Sequence, residues 1–256
     1  MADGSVAGIA SLKGRVSEAE WKARVDLAAL YRLVALYGWD DLVDTHISAR
    51  IPGPDHQFLL NPYGLFWEEI TASSLVRIDV EGNILQDTPY MVNAAGFTIH
   101  SAVHMAVEDA HYVMHLHSEY GVAVSAQQEG LLPLSQTALI ALPKLAYHDY
   151  EGIALNLDER ERLVADLGDK PLMMLRNHGT LSLGRTAGDC FRGMYNLEQA
   201  CKMQIHALTV GRDRVLMAPQ DSRDVVREQT KRGVGGALAW PGLLRRLDRH
   251  NPGYDT

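Results

Sequence analysis

The chain has 256 residues, of which 46% are hydrophobic, and its formal net charge at pH 7 is −8. A chain of this length can bury a full hydrophobic core, and its acidic balance argues against a nucleic-acid partner, which would need a basic patch. No stretch reaches the roughly 18 apolar residues of a membrane span, and the N-terminus has an acid where a signal peptide has basic residues. Cys190 and Cys201 are too few for a disulfide framework, so we expect a cytoplasmic protein that acts on small molecules.

The first part of the chain predicts a long helix followed by antiparallel strands. Residues 1–16 are small and are expected to form a flexible lead. Ser17-Glu-Ala-Glu20 has the sequence of a capping box, and apolar residues at helical spacing extend the predicted helix to about Gly38. Strands are predicted next at 45–51, 57–60 and 76–80, and a second helix at 93–107.

The second part of the chain alternates between strands and helices. A central strand at 111–117 precedes a helix at about 120–128, Asp158 starts another helix, and the longest helix covers about 186–210. This order predicts one α/β layered domain over residues 17–211. Residues 212–256, called the tail below, are charge-rich but carry Trp240 and two leucines. The tail is expected to pack either on its own domain or on a neighbouring subunit.

A histidine pair marks the centre of the chain. His115 and His117 lie at the end of the predicted central strand, and side chains two residues apart on a strand point to the same face. The third candidate ligand is His178, in a predicted turn between two strand-like runs. Three neutral imidazoles leave coordination positions open, as in a catalytic metal site, and zinc, iron, manganese or cobalt would all fit.

A second histidine pair is a rival metal site. His100 and His104 are four residues apart on the helix predicted at 93–107, so their side chains share one side of it. The sequence offers neither a neighbouring glutamate nor a third ligand for this pair. The pattern alone is therefore a weak indication.

The chain from Asp26 to Gly211 resembles the class II aldolase/adducin family. His115-Leu-His117 and Asn177-His-Gly179 are similar to its metal ligands, and Asn61-Pro-Tyr-Gly64 to its Thr-Pro-Thr-Gly turn. Asp44-Thr-His-Ile-Ser-Ala-Arg50 resembles its glycine-asparagine-x-serine region. The resemblance implies a three-layer α/β/α domain with a largely antiparallel central sheet, a divalent metal, and a homotetramer with active sites near subunit interfaces.

Departures from the family pattern concern the phosphate group of its sugar-phosphate substrates. The asparagine, threonine-glycine and paired serines that hold phosphate in those enzymes correspond here to His46, Tyr63-Gly64 and Ala94-Ala95. Most of the amide and hydroxyl groups that would bind a phosphate dianion are therefore missing. We expect an unphosphorylated substrate, with His46, Tyr63 and Gly64 lining its pocket and His46 able to bind an anion or a carboxylate.

The acid of the family's aldolases and epimerases corresponds here to Gly96, which can neither bind metal nor move a proton. Glu119 and His100 are the expected replacements in acid–base chemistry. The alternatives are that Glu119 is a helix N-terminal acid that favours the helix dipole, and that His100 is a hydrogen-bonded core histidine. Tyr147, His148 and Tyr150 are weaker candidates, and an ordinary turn is the alternative for them.

The function expected from these residues is a metal-dependent carbon–carbon lyase, most simply with zinc, of the aldolase or decarboxylase type. Its substrate would be an unphosphorylated oxo or hydroxy acid, or an aromatic acid. A non-haem iron oxygenase using the same three histidines is one alternative. A non-enzymatic, adducin-like assembly module is the other, although the sequence lacks a long basic tail.

Overall fold

The computed structural model describes residues 9–53, 56–152, 159–230 and 235–256, and only the backbone of residues 94–98. Within these ranges the chain forms helices and strands in mixed order. The helices are α1 (Glu18–Tyr37), α2 (Ala94–Ala106), α3 (Glu119–Ser125), α4 (Gln136–Ala141), α5 (Glu159–Leu167), α6 (Ala187–Leu208), α7 (Gln220–Thr230) and α8 (Trp240–His250). The strands are β1 (His46–Arg50), β2 (Phe58–Leu60), β3 (Val76–Ile78), β4 (Tyr112–Leu116), β5 (Leu145–His148), β6 (Leu172–Leu175) and β7 (Gly179–Gly184).

The strands form one sheet in the order β3-β2-β1-β4-β7-β6-β5, and every pair is antiparallel except β5 with β6. Helices α2 and α5 pack on one face of the sheet. Helices α1, α3, α4, α6 and α8 cover the other face. The expected three-layer α/β/α fold with a largely antiparallel sheet is confirmed. None of the helices in the described ranges is long and apolar enough to cross a bilayer.

Helix α1 begins and ends where its sequence signals predict. The Ser17 side chain accepts a hydrogen bond from the Glu20 N–H at 3.1 Å, and Gly38 ends the helix with a φ of 67°. Only this half of the capping box forms. The Glu20 carboxylate instead binds Arg24 at 2.8 Å and Arg77 at 3.2 Å, so it anchors the helix to the sheet.

Alternation along β1 and β4 decides which side chains reach which layer. Ile47 and Met114 belong to the hydrophobic cluster shared with α1 and α6. Their neighbours along the strands, His46, Ser48 and His115, therefore point to the α2 side, where a cluster of histidines forms. The two central strands thus place apolar side chains under one helical layer and imidazoles under the other.

Two stretches differ from the sequence-based expectation. Residues 145–148, for which an ordinary turn was the alternative, form the edge strand β5 in parallel with β6. Residues 136–141, to which the sequence assigned no element, form the short helix α4, whose N-cap Ser135 accepts from the Ala138 N–H. Asp158, the expected start of α5, lies outside the described residues. Short elements of this kind carry too little periodicity to be recognised from sequence.

The C-terminal part of the tail packs on its own chain. Leu247 of α8 and Tyr254 are buried in the cluster formed with α1. Arg32 of α1 donates to the Asn251 side chain at 2.7 Å and to the Pro252 carbonyl at 2.5 Å. This is one of the two arrangements considered for the tail, and a contact with a neighbouring subunit stays a prediction, as does the division of the chain at 16 and 211.

Replacing Leu247 with alanine should lower the free energy of unfolding by about 2–4 kcal/mol, because its side chain is fully buried against α1. Urea-induced unfolding would measure the change. Leu216, also in the tail, is 89% exposed, so Leu216→Ala is the matched control and should change stability by less than about 0.5 kcal/mol. Equal effects of the two substitutions would contradict the packing of α8 described here.

Candidate metal centre

Three imidazoles converge at one end of the sheet. The ring centroids of His115, His117 and His178 are 4.7, 4.9 and 5.0 Å apart, and one nitrogen from each ring lies within 4.8 Å of the others. His115 is at the end of β4, His117 directly follows the strand, and His178 is in the β6–β7 turn. The rings expected from the sequence to converge do so.

Hydrogen bonds fix which nitrogen of two rings faces the centre of the cluster. His115 Nδ1 is 3.1 Å from the Thr180 carbonyl oxygen, which can only accept, so Nδ1 carries the proton. His117 Nδ1 is 3.0 Å from a carboxylate oxygen of Asp41, and this ring is held in the same tautomer. In its neutral form each ring therefore keeps an unprotonated Nε2 for a ligand, and the His117 Nε2 is buried with no partner among the described residues.

The β6–β7 turn brings His178 to the other two rings. Asn177 has a φ of 55°, a left-handed conformation that asparagine tolerates well. At Gly179 a Cβ atom would lie 2.4 Å from the Leu116 carbonyl oxygen, so only glycine allows β7 to approach the end of β4 this closely. Burial, followed by the neighbouring His117, lowers the pKa of His178 to about 4. Its ring is therefore neutral at pH 7.

The donor set fits a divalent metal with open coordination positions. Neutral imidazoles suit zinc, copper, iron and nickel, and three protein ligands leave room for a fourth. Within the described part of the chain, these three residues are the one group of histidine, cysteine or carboxylate side chains close enough together to hold an ion. The rival pair His100 and His104 does not form a metal site, because both rings bond to the Ser48 hydroxyl that lies between them.

Two further predicted site residues lie directly behind the cluster. His46 is paired with His115 in the β1–β4 register, and the two ring centroids are 5.5 Å apart. The His100 ring of α2 is 4.3 Å from the His46 ring. Burial, followed by the charges of His117 and His178, lowers the pKa of His46 to about 3, and burial lowers that of His100 well below its usual value. Both residues stay candidates for the roles predicted above.

Glu119, Tyr63 and Gly64 lie at the same end of the sheet, but no hydrogen bond or ring contact among the described residues joins them to the three imidazoles. Glu119 is the exposed first residue of α3, two positions after His117. Tyr63 is 39% exposed, and Gly64 has a φ of 101° in the turn that follows β2. Gly96 falls in the part of α2 for which only the backbone is described. The weaker candidate Tyr150 lies 6.3 Å from His178, whereas His148 is buried and bonds to Asp166 at 2.7 Å.

Sequence reasoning missed two acids beside the centre. Asp41 orients His117 from a loop in which Leu42 and Thr45 both have positive φ values. Glu198 of α6 is buried and accepts a hydrogen bond of 2.6 Å from Ser118, the residue that follows His117. Burial raises the pKa of Glu198. Nothing in the sequence pairs Asp41 with His117 or Glu198 with Ser118, because both contacts join positions far apart in the chain.

A cavity of about 700 Å³ lies elsewhere, between residues 106–109, 168–171 and 183–185. Gly184 is at the opposite end of β7 from Gly179 and His178, so this cavity is far from the three imidazoles. Across it Arg185 bonds to Asp109 at 2.6 Å. The cavity and the metal centre are separate features of the molecule.

The chain folds as a layered α/β domain in which three imidazoles, close enough together to hold an ion, meet at one end of the sheet. The family model for the class II aldolase and adducin N-terminal domain matches residues 25–205, and the chain belongs to this family. A crystal structure of an aldolase II superfamily protein from Pseudomonas syringae is 48% identical and superposes with a TM-score of 0.92, over 96% of this chain and all of the other. An L-fuculose 1-phosphate aldolase from Glaciozyma antarctica is 25% identical, with a TM-score of 0.79 over 94% of each chain.

The relatives found by sequence include a protein described as an aldolase and an adducin. A Caulobacter vibrioides protein, described only provisionally as a class 2 aldolase, is 70% identical over 99% of both chains. Alpha-adducin from Rattus norvegicus is 39% identical over the full length of this chain, which spans 37% of that protein. The family therefore includes both aldolases and adducins. Membership alone does not assign a function to this chain, so the assignment must come from the residues of the site.

Acid should destabilise the metal-free protein, and His104 should contribute. Burial lowers the pKa of His104 to about 3, against 6.5 for an ordinary histidine. Between these values the unfolded chain binds more protons than the folded one, so the free energy of unfolding falls as pH falls. The contribution of one such residue is at most about 1.4 kcal/mol per pH unit.

Urea-induced unfolding at a series of pH values between about 7.5 and 5 would measure this slope. His104→Gln should make the slope shallower. Ser182→Ala alters a buried side chain that carries no charge and should leave the slope unchanged. A stability independent of pH in this interval would contradict the buried, neutral state of these histidines.

Proposed function

We propose that the protein is a divalent-metal-dependent lyase that breaks a carbon–carbon bond in an unphosphorylated oxo or hydroxy acid or an aromatic acid. Aldol-type cleavage and decarboxylation are the two reaction types considered. The observation that carries the proposal is the convergence of three imidazoles, two of which hold Nδ1 on a hydrogen-bond acceptor so that Nε2 is left for a ligand. Zinc is the favoured metal, and iron, manganese and cobalt suit the same ligands.

His115, His117 and His178 would hold the metal, which would act as a Lewis acid and stabilise the negative charge left when the bond breaks. The Thr180 carbonyl and Asp41 keep two of these ligands in the required tautomer. Glu119, exposed at the start of α3, would transfer a proton at the mouth of the site. His100 would serve on the buried side, next to His46.

The substrate would lie between the metal centre and the end of β2. Tyr63 and Gly64 follow that strand at the same end of the sheet as His46 and are the proposed pocket residues. Solvent-exposed apolar side chains near this end, Leu42, Tyr63, Phe66 and Met91, favour burial by substrate or by another subunit. A homotetramer that closes the site from a neighbouring subunit is part of the proposal.

An adducin-like role without catalysis is the second candidate, supported by the 39% identity to alpha-adducin over the whole chain. The ordered tautomers of His115 and His117 favour the enzyme, because an assembly module has no need for unprotonated nitrogens facing one point. An iron-dependent oxygenase would use the same ligands. Turnover compared in air and under anaerobic conditions distinguishes it, since a lyase does not consume oxygen.

His115→Ala and His178→Ala should each remove bound metal and abolish turnover, because two imidazoles cannot hold the ion at an open site. Metal content by mass spectrometry and turnover on a panel of oxo, hydroxy and aromatic acids are the measurements. His111→Ala, at an exposed histidine just before β4, is the matched control and should keep both the bound metal and the turnover. Full turnover in the His115 variant would refute the proposal.

Glu119→Gln should keep the metal and lower the turnover rate about 100-fold or more, since general acid–base groups typically contribute that much. Glu129→Gln, which removes another exposed carboxylate after α3, should leave the rate unchanged. A Glu119 variant with an unaltered rate would instead assign Glu119 to the helix dipole alone and move the proton transfer to another residue.

A further inference from the structure

A line of buried polar groups runs from the metal centre into the layer between β1 and α2. The His46 ring lies between the rings of His115 and His100. The Ser48 hydroxyl is 2.6 Å from His100 Nδ1 and 2.6 Å from His104 Nε2. Each of the four side chains in this line, His46, Ser48, His100 and His104, is at most 5% exposed.

The far end of the line sets the direction of its hydrogen bonds. His104 Nδ1 is 2.6 Å from the Ala110 carbonyl oxygen, which can only accept, so Nδ1 carries the proton. In a neutral ring Nε2 is then unprotonated and accepts from the Ser48 hydroxyl. Because that hydroxyl proton is used, Ser48 Oγ accepts from His100 Nδ1–H. The His100 Nε2 is consequently left with a lone pair.

In the opposite arrangement His104 Nε2 would donate to Ser48. His104 would then either place an unprotonated Nδ1 against the Ala110 oxygen or be doubly protonated and charged. The first arrangement is repulsive at 2.6 Å. The second is opposed by burial, which lowers the pKa of His104 to about 3, and by the nearby cation of Arg50, which bonds to the His104 carbonyl. The stable arrangement is therefore the one in which His100 donates to Ser48 and Ser48 donates to His104.

His46 is the neighbour of His100 on the side of the metal centre, and the two ring centroids are 4.3 Å apart. The His100 Nε2 is buried and makes no hydrogen bond to the His46 ring. It therefore keeps its lone pair.

We infer that Ser48 and His104 are positioning residues that hold His100 with a lone pair, and not an N–H group, at Nε2. This inference deepens the proposed function, on which its ligand specificity rests. A ligand group that reaches His100 Nε2 must then bring its own proton, as a hydroxyl does. A carboxylate would meet a lone pair there.

The tautomers can be measured without metal or substrate by magic-angle-spinning NMR of protein labelled with nitrogen-15 histidine. His100→Gln and His104→Gln difference spectra assign the two rings. The wild-type protein should show His100 and His104 each protonated at Nδ1 and not at Nε2. Ser48→Thr keeps a hydroxyl and should preserve this pattern, so it remains informative if Ser48→Ala does not fold.

Ser48→Ala removes the hydroxyl that accepts from His100 Nδ1–H. The preference for that tautomer should be lost, so that an Nε2–H form of His100 becomes populated. Ser182→Ala is the matched control, because Ser182 is equally buried but bonds to the Cys190 carbonyl on the other face of the sheet. Its spectrum should show the wild-type pattern. A wild-type His100 protonated at Nε2, or a Ser48→Ala spectrum identical to the wild type, would overturn the inference whatever the activity of the protein.

Ligand specificity can be tested by calorimetry of the zinc-loaded protein with glycolate, which has a hydroxyl beside its carboxylate, and oxalate, which has two carboxylates. Glycolate should bind more tightly, and Ser48→Ala should weaken it about tenfold while changing oxalate less than twofold. A preference for oxalate, or an equal loss for both acids, would contradict the specificity. Binding of neither acid would count against the proposed metal-dependent function, while the NMR result would still decide the tautomers.

Discussion

The site depends on the antiparallel pairing of β4 between β1 and β7. This register sets His46 opposite His115 and Leu116 opposite Thr180, so that imidazoles from three places in the chain meet at one end of the sheet. A slip of one residue would turn His115 into the hydrophobic layer beneath α1 and α6. The register is protected by the apolar face of the same strands, because Ile47 and Met114 can be buried only on that side.

Much of this arrangement follows from patterns that a sequence displays. The capping serine of α1, the alternation along β4 and the turn at Asn177 are local features, and each forms where the sequence predicts it. The convergence of His178 on His115 and His117 also agrees with prediction, since a turn between two strands places its tip at the end of the sheet.

The parts that could not be predicted are contacts between distant positions. Asp41 reaches His117, Ser48 joins two histidines of α2, and Glu198 holds Ser118, and no spacing rule links these residues. They decide tautomers, and therefore whether a ring offers a proton or a lone pair. Short elements such as α4 and β5 were missed for a different reason, because tertiary packing and not local pattern stabilises them.

The central claim is that three imidazoles bind one cation and leave a position open for a ligand. X-ray absorption at the zinc edge of the loaded protein measures the ligand set directly. The account predicts three imidazole nitrogens at roughly 2.0–2.1 Å, together with oxygen from water or substrate. Sulfur ligands, fewer than three imidazoles, or a fourth imidazole that closes the coordination would contradict it.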